Sequence, residues 1–308
     1  HQGGSTGIVF GTTKLTLTGG TWDSSSSGRT TNNIDLAGNV TVSGSVFWSG
    51  GTLNYLSGVI TTTGSTLTVS AASTFDTDGM VWSNVTLSGA VTYTFSFDFS
   101  HSGTLTASNS QTWTGAGALV GPGGVTLSGN ITVTMNNGGG TGLNTPNTLT
   151  LANSNNTFAG SSGFIVGTMT TVSLSAFRTH TFTFGNTYTI TTALANVGAT
   201  ASIIQSIVSG TPGSKVVLNL QAGASCDLIY CNPTDINSSG GREIVSPRGT
   251  ITPSTNWVTA PTMPATIFAP EGPLGSAQNK TTQTTVTLTS VITATTGQLI
   301  VVLAASDN

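Results

Sequence analysis

The sequence predicts an all-β chain, a parallel β-helix (β-solenoid) followed by a Pro-rich linker and the start of a β-sandwich module. Three observations predict it. First, a short phrase recurs: an apolar residue, Thr or Ser, another apolar or small residue, then a small polar turn. It starts at Leu15, Val40, Leu67, Val85, Leu105, Val125, Leu149 and Val172, at intervals of 18 to 27 residues. Second, apolar residues alternate with Thr and Ser, as in "AVTYTFSFDFS", which is the period of a strand with one buried face. Third, the chain has only 7 basic and 10 acidic residues among 308 although 36% of it is hydrophobic, so it folds with a surface of hydroxyls and amides rather than ions.

Residues 1–200 read as the rod. In Val85-Thr86-Leu87 the side-chain period of two sends Val85 and Leu87 to one face and Thr86 to the other, and β-branched Thr favours extended backbone. Ser88-Gly89 then breaks the strand, Gly permitting the backbone conformation that a corner needs. In the next strand Val91, Tyr93, Phe95, Phe97 and Phe99 are expected to share a face. A wandering period of this size is what stacked coils require, because no coil buries its apolar side alone. Eight coils would form a rod on the order of 40 Å long, with a right-handed coil the usual hand. A β-sandwich, or a string of them, is the alternative; it calls for strands about every 8–12 residues and gives no reason for the longer recurrence.

Residues 201–260 read as a C-terminal cap, since a rod end exposes unpaired strand edges and needs a closing element, here with Trp257. Residues 261–275 contain Pro261, Pro264, Pro270 and Pro273 and read as an extended, semi-rigid linker. Residues 276–308 give two or three strands, too few for a sandwich, so they read as the opening of a truncated module or as strands that complete a neighbour's sheet.

Residues 179–257 resemble a terminal segment of β-helical phage-encoded and bacterial surface proteins. Phe182, Phe184, Tyr188, Gly213, Leu218, Leu220, Asp235, Gly240, Gly241 and Trp257 fall in the places of that pattern, and Cys226 and Cys231 depart from it. The phrase "TATTGQLIVVLAASDN" is similar to the start of a β-sandwich module of virion and surface proteins. The resemblance implies a non-enzymatic structural or attachment protein of a phage virion: a tail fibre, spike or capsid decoration protein. It further implies other virion or surface proteins and a host-surface glycan as partners, a location on the virion surface or outside the cell, and a homo-oligomer, by analogy a trimer. A tailspike-like polysaccharide depolymerase, a bacterial adhesin and an extracellular filament subunit stay as alternatives.

Other function classes find little footing. A net charge of −3 with scattered Lys14, Arg29, Arg178, Lys215, Arg242, Arg248 and Lys280 gives no basic stripe for nucleic acid. The longest strongly apolar run, Leu299 to Ala305, is too short for a membrane helix and reads as a buried strand. The chain opens with His1 and has no visible leader, which leaves export by a removed leader open.

The candidate chemistry is thin. Asp76 and Asp78 in "DTDG" would point the same way on a strand, as the carboxylate pair of a glycosidase does, but Asp-Gly ahead of an apolar strand is also ordinary turn chemistry. Asp23 follows Trp22, and Asp98 is expected on the outward face opposite the Phe ladder. "GGSTG" at 3–7 fits the serine-hydrolase pattern without its strand-turn-helix setting, and "GGTGLN" at 139–144 is half a calcium nonapeptide lacking stacked carboxylates. His101 and His180 are isolated, so no metal and no cofactor is expected. Cys226 and Cys231 would bridge across a tight turn, yet their odd spacing sends them to opposite faces of a continuous strand. Trp48, Trp82 and Trp113, with Trp22 recurring beside them, are either a stripe of stacking platforms for sugar rings or interior packing.

Overall fold

A computed structural model describes residues 14–23, 33–136 and 141–260. These residues form an all-β solenoid with no helix. Two long sheets, of 12 and 14 strands, carry the coils, and every strand pair in them is parallel. The path of the 12-stranded sheet from Leu15–Trp22 to Cys231–Thr234 gives about ten turns, more than the eight phrases counted in sequence. At the strand spacing of a sheet this is a stack on the order of 50 Å. The linker and the 276–308 strands lie outside the described residues.

Five of the eight phrase starts, Leu67, Val85, Leu105, Val125 and Leu149, occupy one column of the 14-stranded sheet. Val46, Leu67, Val85, Leu105, Val125, Leu149, Met169, Leu194 and Cys226 stand in direct register, each beside the next. The neighbouring inward column runs Trp48, Val69, Leu87, Ala107, Leu127, Leu151 and Thr171. Each buried aliphatic side chain in such a column is worth about 1.5–3 kcal/mol, and none is shielded until the coils above and below are in place. Thr171 is the polar exception, and its hydroxyl is bonded to buried Gln205 Oε1.

Three expectations are corrected. Three of the eight phrase starts are not in this column: Leu15 pairs with Ile34, and Val40 with Gly20 and Ile60, in the other sheet, while Val172 stands beside Ala152 and Val197 and Met169 takes its rung. Val46 of "SVFW" takes the first rung, disguised because exposed Phe47 stands where later coils have Thr. Phe97 does not share the buried face of Tyr93, Phe95 and Phe99; the strand Thr92–Phe95 ends at a corner that leaves Phe97 50% exposed. Nor does the stacking stop at residue 200, because Gln205–Ser209 and Cys231–Thr234 continue the 12-stranded sheet in parallel. What closes the described end is Ile244–Val245 paired with Trp257–Val258, with Trp257 Nε1 donating to Ser238 Oγ at 2.9 Å.

The phrase glycines Gly89 and Gly129 act by proximity rather than by φ, whereas Gly44 takes a positive φ of 62°. A Cβ at Gly129 would lie 1.6 Å from Asn109 O, and one at Gly89 2.3 Å from Ser70 O, so the adjacent coil leaves no room for a side chain. Corner asparagines do the complementary work. Asn39, Asn84, Asn130, Asn136, Asn153 and Asn155 each accept through Oδ1 a backbone N–H from the next coil, at 2.8 to 3.0 Å. Where the ladder is interrupted at a corner, these side chains stand in for a missing carbonyl.

Candidate functional site

The interior of the solenoid holds most of the residues that the sequence put forward. Trp48, Trp82 and Trp113 are 1%, 0% and 1% exposed, so no sugar ring reaches them and the stacking-platform reading is corrected to packing. Trp48 meets Phe75 edge-on at 5.7 Å, and Trp113 meets Phe95 at 6.1 Å while donating from Nε1 to Gln111 Oε1. His101 and His180 are buried as well. His101 Nδ1 lies 2.9 Å from Gly103 O, whereas neither nitrogen of His180 has a hydrogen-bond partner among the described residues. Burial and the adjacent Arg178 charge lower the pKa of His180 to about 4, so it is neutral at neutral pH.

The structure does not gather the carboxylates into a catalytic pair. Asp76 ends the strand Ser73–Asp76 and lies beside Asn54, whereas Asp78 is exposed in the turn that Met80 N–H closes on Thr77 O at 3.0 Å. Asp98 accepts Ala118 N–H at 2.9 Å, a corner role like that of the asparagines. The most enclosed acid is Asp35, which takes Lys14 Nζ at 2.6 Å and Asn54 Nδ2 at 2.7 Å. Burial alone would raise its pKa, but the hydrogen bonds from Lys14 and Asn54, with the Lys14 charge, hold the carboxyl below its ordinary value.

Cys226 and Cys231 are free thiols, so the possible disulfide is not formed. Cys226 stands beside Leu194 in one sheet and Cys231 beside Gln205 in the other, with Cys226 Sγ placed 3.4 Å from Val245 O. "GGSTG" lies outside the described residues, as do the first two residues of "GGTGLN"; its remainder, 141–144, begins the strand Thr141–Ala152. Among the described residues no group of three His, Cys, Asp or Glu is placed to hold a metal, and no helix is long and apolar enough to cross a membrane.

The outer faces are ordered instead. Thr68, Thr86, Thr106, Thr126, Thr150 and Thr170 form one file on the 14-stranded sheet. On the other sheet Thr52, Thr74, Thr94, Thr114 and Thr134 form a second file, and Thr92, Thr112, Thr132, Thr157 and Thr181 a third. β-Branched Thr satisfies the strand and leaves a hydroxyl at the surface. A shallow trough of about 360 Å³ runs over Thr52, Thr74, Thr92 and Thr94.

At one corner the coils leave an open groove of about 330 Å³, lined by residues that include Asn109, Ser128, Asn130, Asn153, Ser154 and Arg178. Asn109 and Asn153 adopt positive φ, 67° and 53°, a conformation that Asn tolerates at corners. The coil-to-coil bonds use one half of each amide: Asn109 Nδ2 donates to Ser88 O, Asn130 Oδ1 accepts from Asn155 N–H, and Asn153 Oδ1 accepts from Leu174 N–H. None of the groove residues is acidic. Sequence reading passed over this site, although Asn109, Asn130 and Asn153 each follow a copy of the phrase by a few residues. What it could not show is that Arg178, from a later coil, joins them.

No protein-family model, curated protein or solved structure matches the chain.

Proposed function

We propose that the chain is a non-enzymatic attachment rod that presents its coils to a host-surface glycan, as a tail fibre, spike or capsid decoration of a phage virion. The observation that carries the attachment reading is the outer surface: files of Thr hydroxyls and a corner groove of amides and hydroxyls, held on a stack whose register fixes their spacing. Such groups are the hydrogen-bond partners of sugar hydroxyls. The stacked β-solenoid, without a helix, supplies a stiff support for display. The virion setting rests on the resemblance of residues 179–257 to phage-encoded proteins. A glycan array probed with the purified chain tests attachment, and mass measurement of intact virions against a bacterial surface fraction tests the setting. Binding to a subset of glycans is expected; a blank array overturns the attachment reading, and recovery from the bacterial surface alone moves the rod to an adhesin.

A further inference from the structure

We propose that the corner groove is a subsite for the carboxylate of an acidic sugar, with Arg178 as its anchor. The inference deepens the attachment reading and rests on it.

The first argument is charge. Five cationic side chains lie among the described residues, and four have partners. Lys14 is paired with Asp35, Lys215 Nζ bonds Thr255 Oγ1 at 2.7 Å, Arg242 bonds Ala224 O, and Arg248 bonds Tyr230 Oη at 2.9 Å. Arg178 is the exception: among the described residues its guanidinium has neither a counter-ion nor an acceptor, and its Nε–H is shut away from water as well. A guanidinium left in that state calls for an anionic acceptor, and the group whose planar geometry matches it is a carboxylate.

The second argument is the hydrogen-bonding capacity that remains. Because Asn130 and Asn153 spend Oδ1 on backbone N–H groups, their amide orientation is fixed by chemistry, and each is left with an Nδ2 donor that has no partner among the described residues. Ser128 and Ser154 donate their hydroxyl protons to Ala107 O and Leu127 O. Ser154 Oγ is buried and already accepts Asn156 Nδ2 at 3.1 Å, so Ser128 is the hydroxyl whose oxygen is left to face a ligand as an acceptor. Cation and amide donors dominate, with Ser128 Oγ and Asn109 Oδ1 left to accept from sugar hydroxyls. A neutral sugar would use the amides and hydroxyls and leave the guanidinium uncompensated; a uronic or ulosonic acid uses all of them.

The test is titration calorimetry on the full chain with oligogalacturonate, oligomannuronate and oligosialate, each beside its methyl ester, which keeps the sugar and removes the charge. At least one acid should bind while its ester does not. Arg178→Gln should weaken that binding about 10- to 100-fold, the loss of a charge-assisted hydrogen bond, with the melting temperature as a check on folding. Ser128→Asp, which puts a carboxylate into the groove, should weaken it by a mechanism that leaves Arg178 in place. Equal binding of acid and ester, or acid binding unmoved by Arg178→Gln and Ser128→Asp, overturns the subsite and leaves the attachment reading standing. If the three acids fail to bind while neutral glycans on the array do, the subsite alone falls; if nothing binds, the attachment reading falls with it.

Discussion

The rings of Phe75 and Phe95 lie one coil apart, 5.2 Å between centroids and 12° from parallel, with Phe99 packed edge-on against both. Farther along, Phe158 and Phe182 repeat the arrangement at 5.0 Å and 7°. Register therefore stacks rings as well as strands. Phe95→Ala should cost about 3–5 kcal/mol, since it opens a cavity between coils that cannot collapse independently. Phe97→Ala, two residues away but half-exposed, should change stability by less than about 0.5 kcal/mol. Urea unfolding of the two variants checks the difference, and equal losses would contradict the corner at residues 96–98.

Gly129→Ala should destabilise the solenoid strongly, because the added methyl meets the backbone of the coil beside it rather than a movable side chain. Gly223→Ala is the control: nothing lies within 4 Å of a Cβ there, and it should be neutral or slightly stabilising. Thermal melts of both variants give the comparison.

The pH dependence follows from His180. Burial first, and Arg178 second, lower its folded pKa to about 4 from an ordinary 6.5, so the unfolded chain binds the proton more readily than the folded one. The associated stability is complete above pH 6.5 and is lost as pH falls toward 4, on the order of 3 kcal/mol in all. His101, lowered by burial against a smaller opposing hydrogen bond to Gly103, adds in the same direction. Unfolding free energies measured from pH 7.5 to 4 should fall, and His180→Phe should flatten the slope.

Cysteine labelling provides a further check. Burial, with the neighbouring Cys226 thiol, raises Cys231 to about 12, and burial raises Cys226 as well. Neither thiol should react with a disulfide reagent at pH 8 in the native rod, and both should react in urea. Prompt native reaction of Cys231 would contradict its place in the interior.

The Asp76→Asn, Asp78→Asn double variant should leave any glycan-cleaving activity of the preparation unchanged, because Asp78 belongs to a turn and Asp76 to a strand end. Sugar released from host capsule by the parent chain and lost in the double variant would restore the depolymerase reading.

The stack was legible in sequence where each coil repeats the same demand. Leu67, Val85, Leu105, Val125 and Leu149 were picked from the phrase alone and occupy consecutive rungs. The pattern failed where local context imitates it, as at Val40, or hides it, as at Val46 with Phe47 beside it. Alternation also gave no warning that a corner falls between Phe95 and Phe99, because a turn there costs no change in residue type. The groove was hidden for a different reason. Its asparagines carry a local signal, but Arg178 reaches them only through coil stacking, and its lack of a partner among the described residues is a property of the surroundings rather than of the residue.

The asparagine bonds that link each corner to the coil above it act along the axis of the stack, as do the parallel backbone ladders. A pull applied at the two ends is thus borne by one inter-coil seam after another, each seam sharing the load among its own bonds. The protein yields in steps of a single winding, about 20 residues or roughly 65–70 Å of slack at a time, and a tether built this way absorbs a tug by paying out thread while the remaining windings hold.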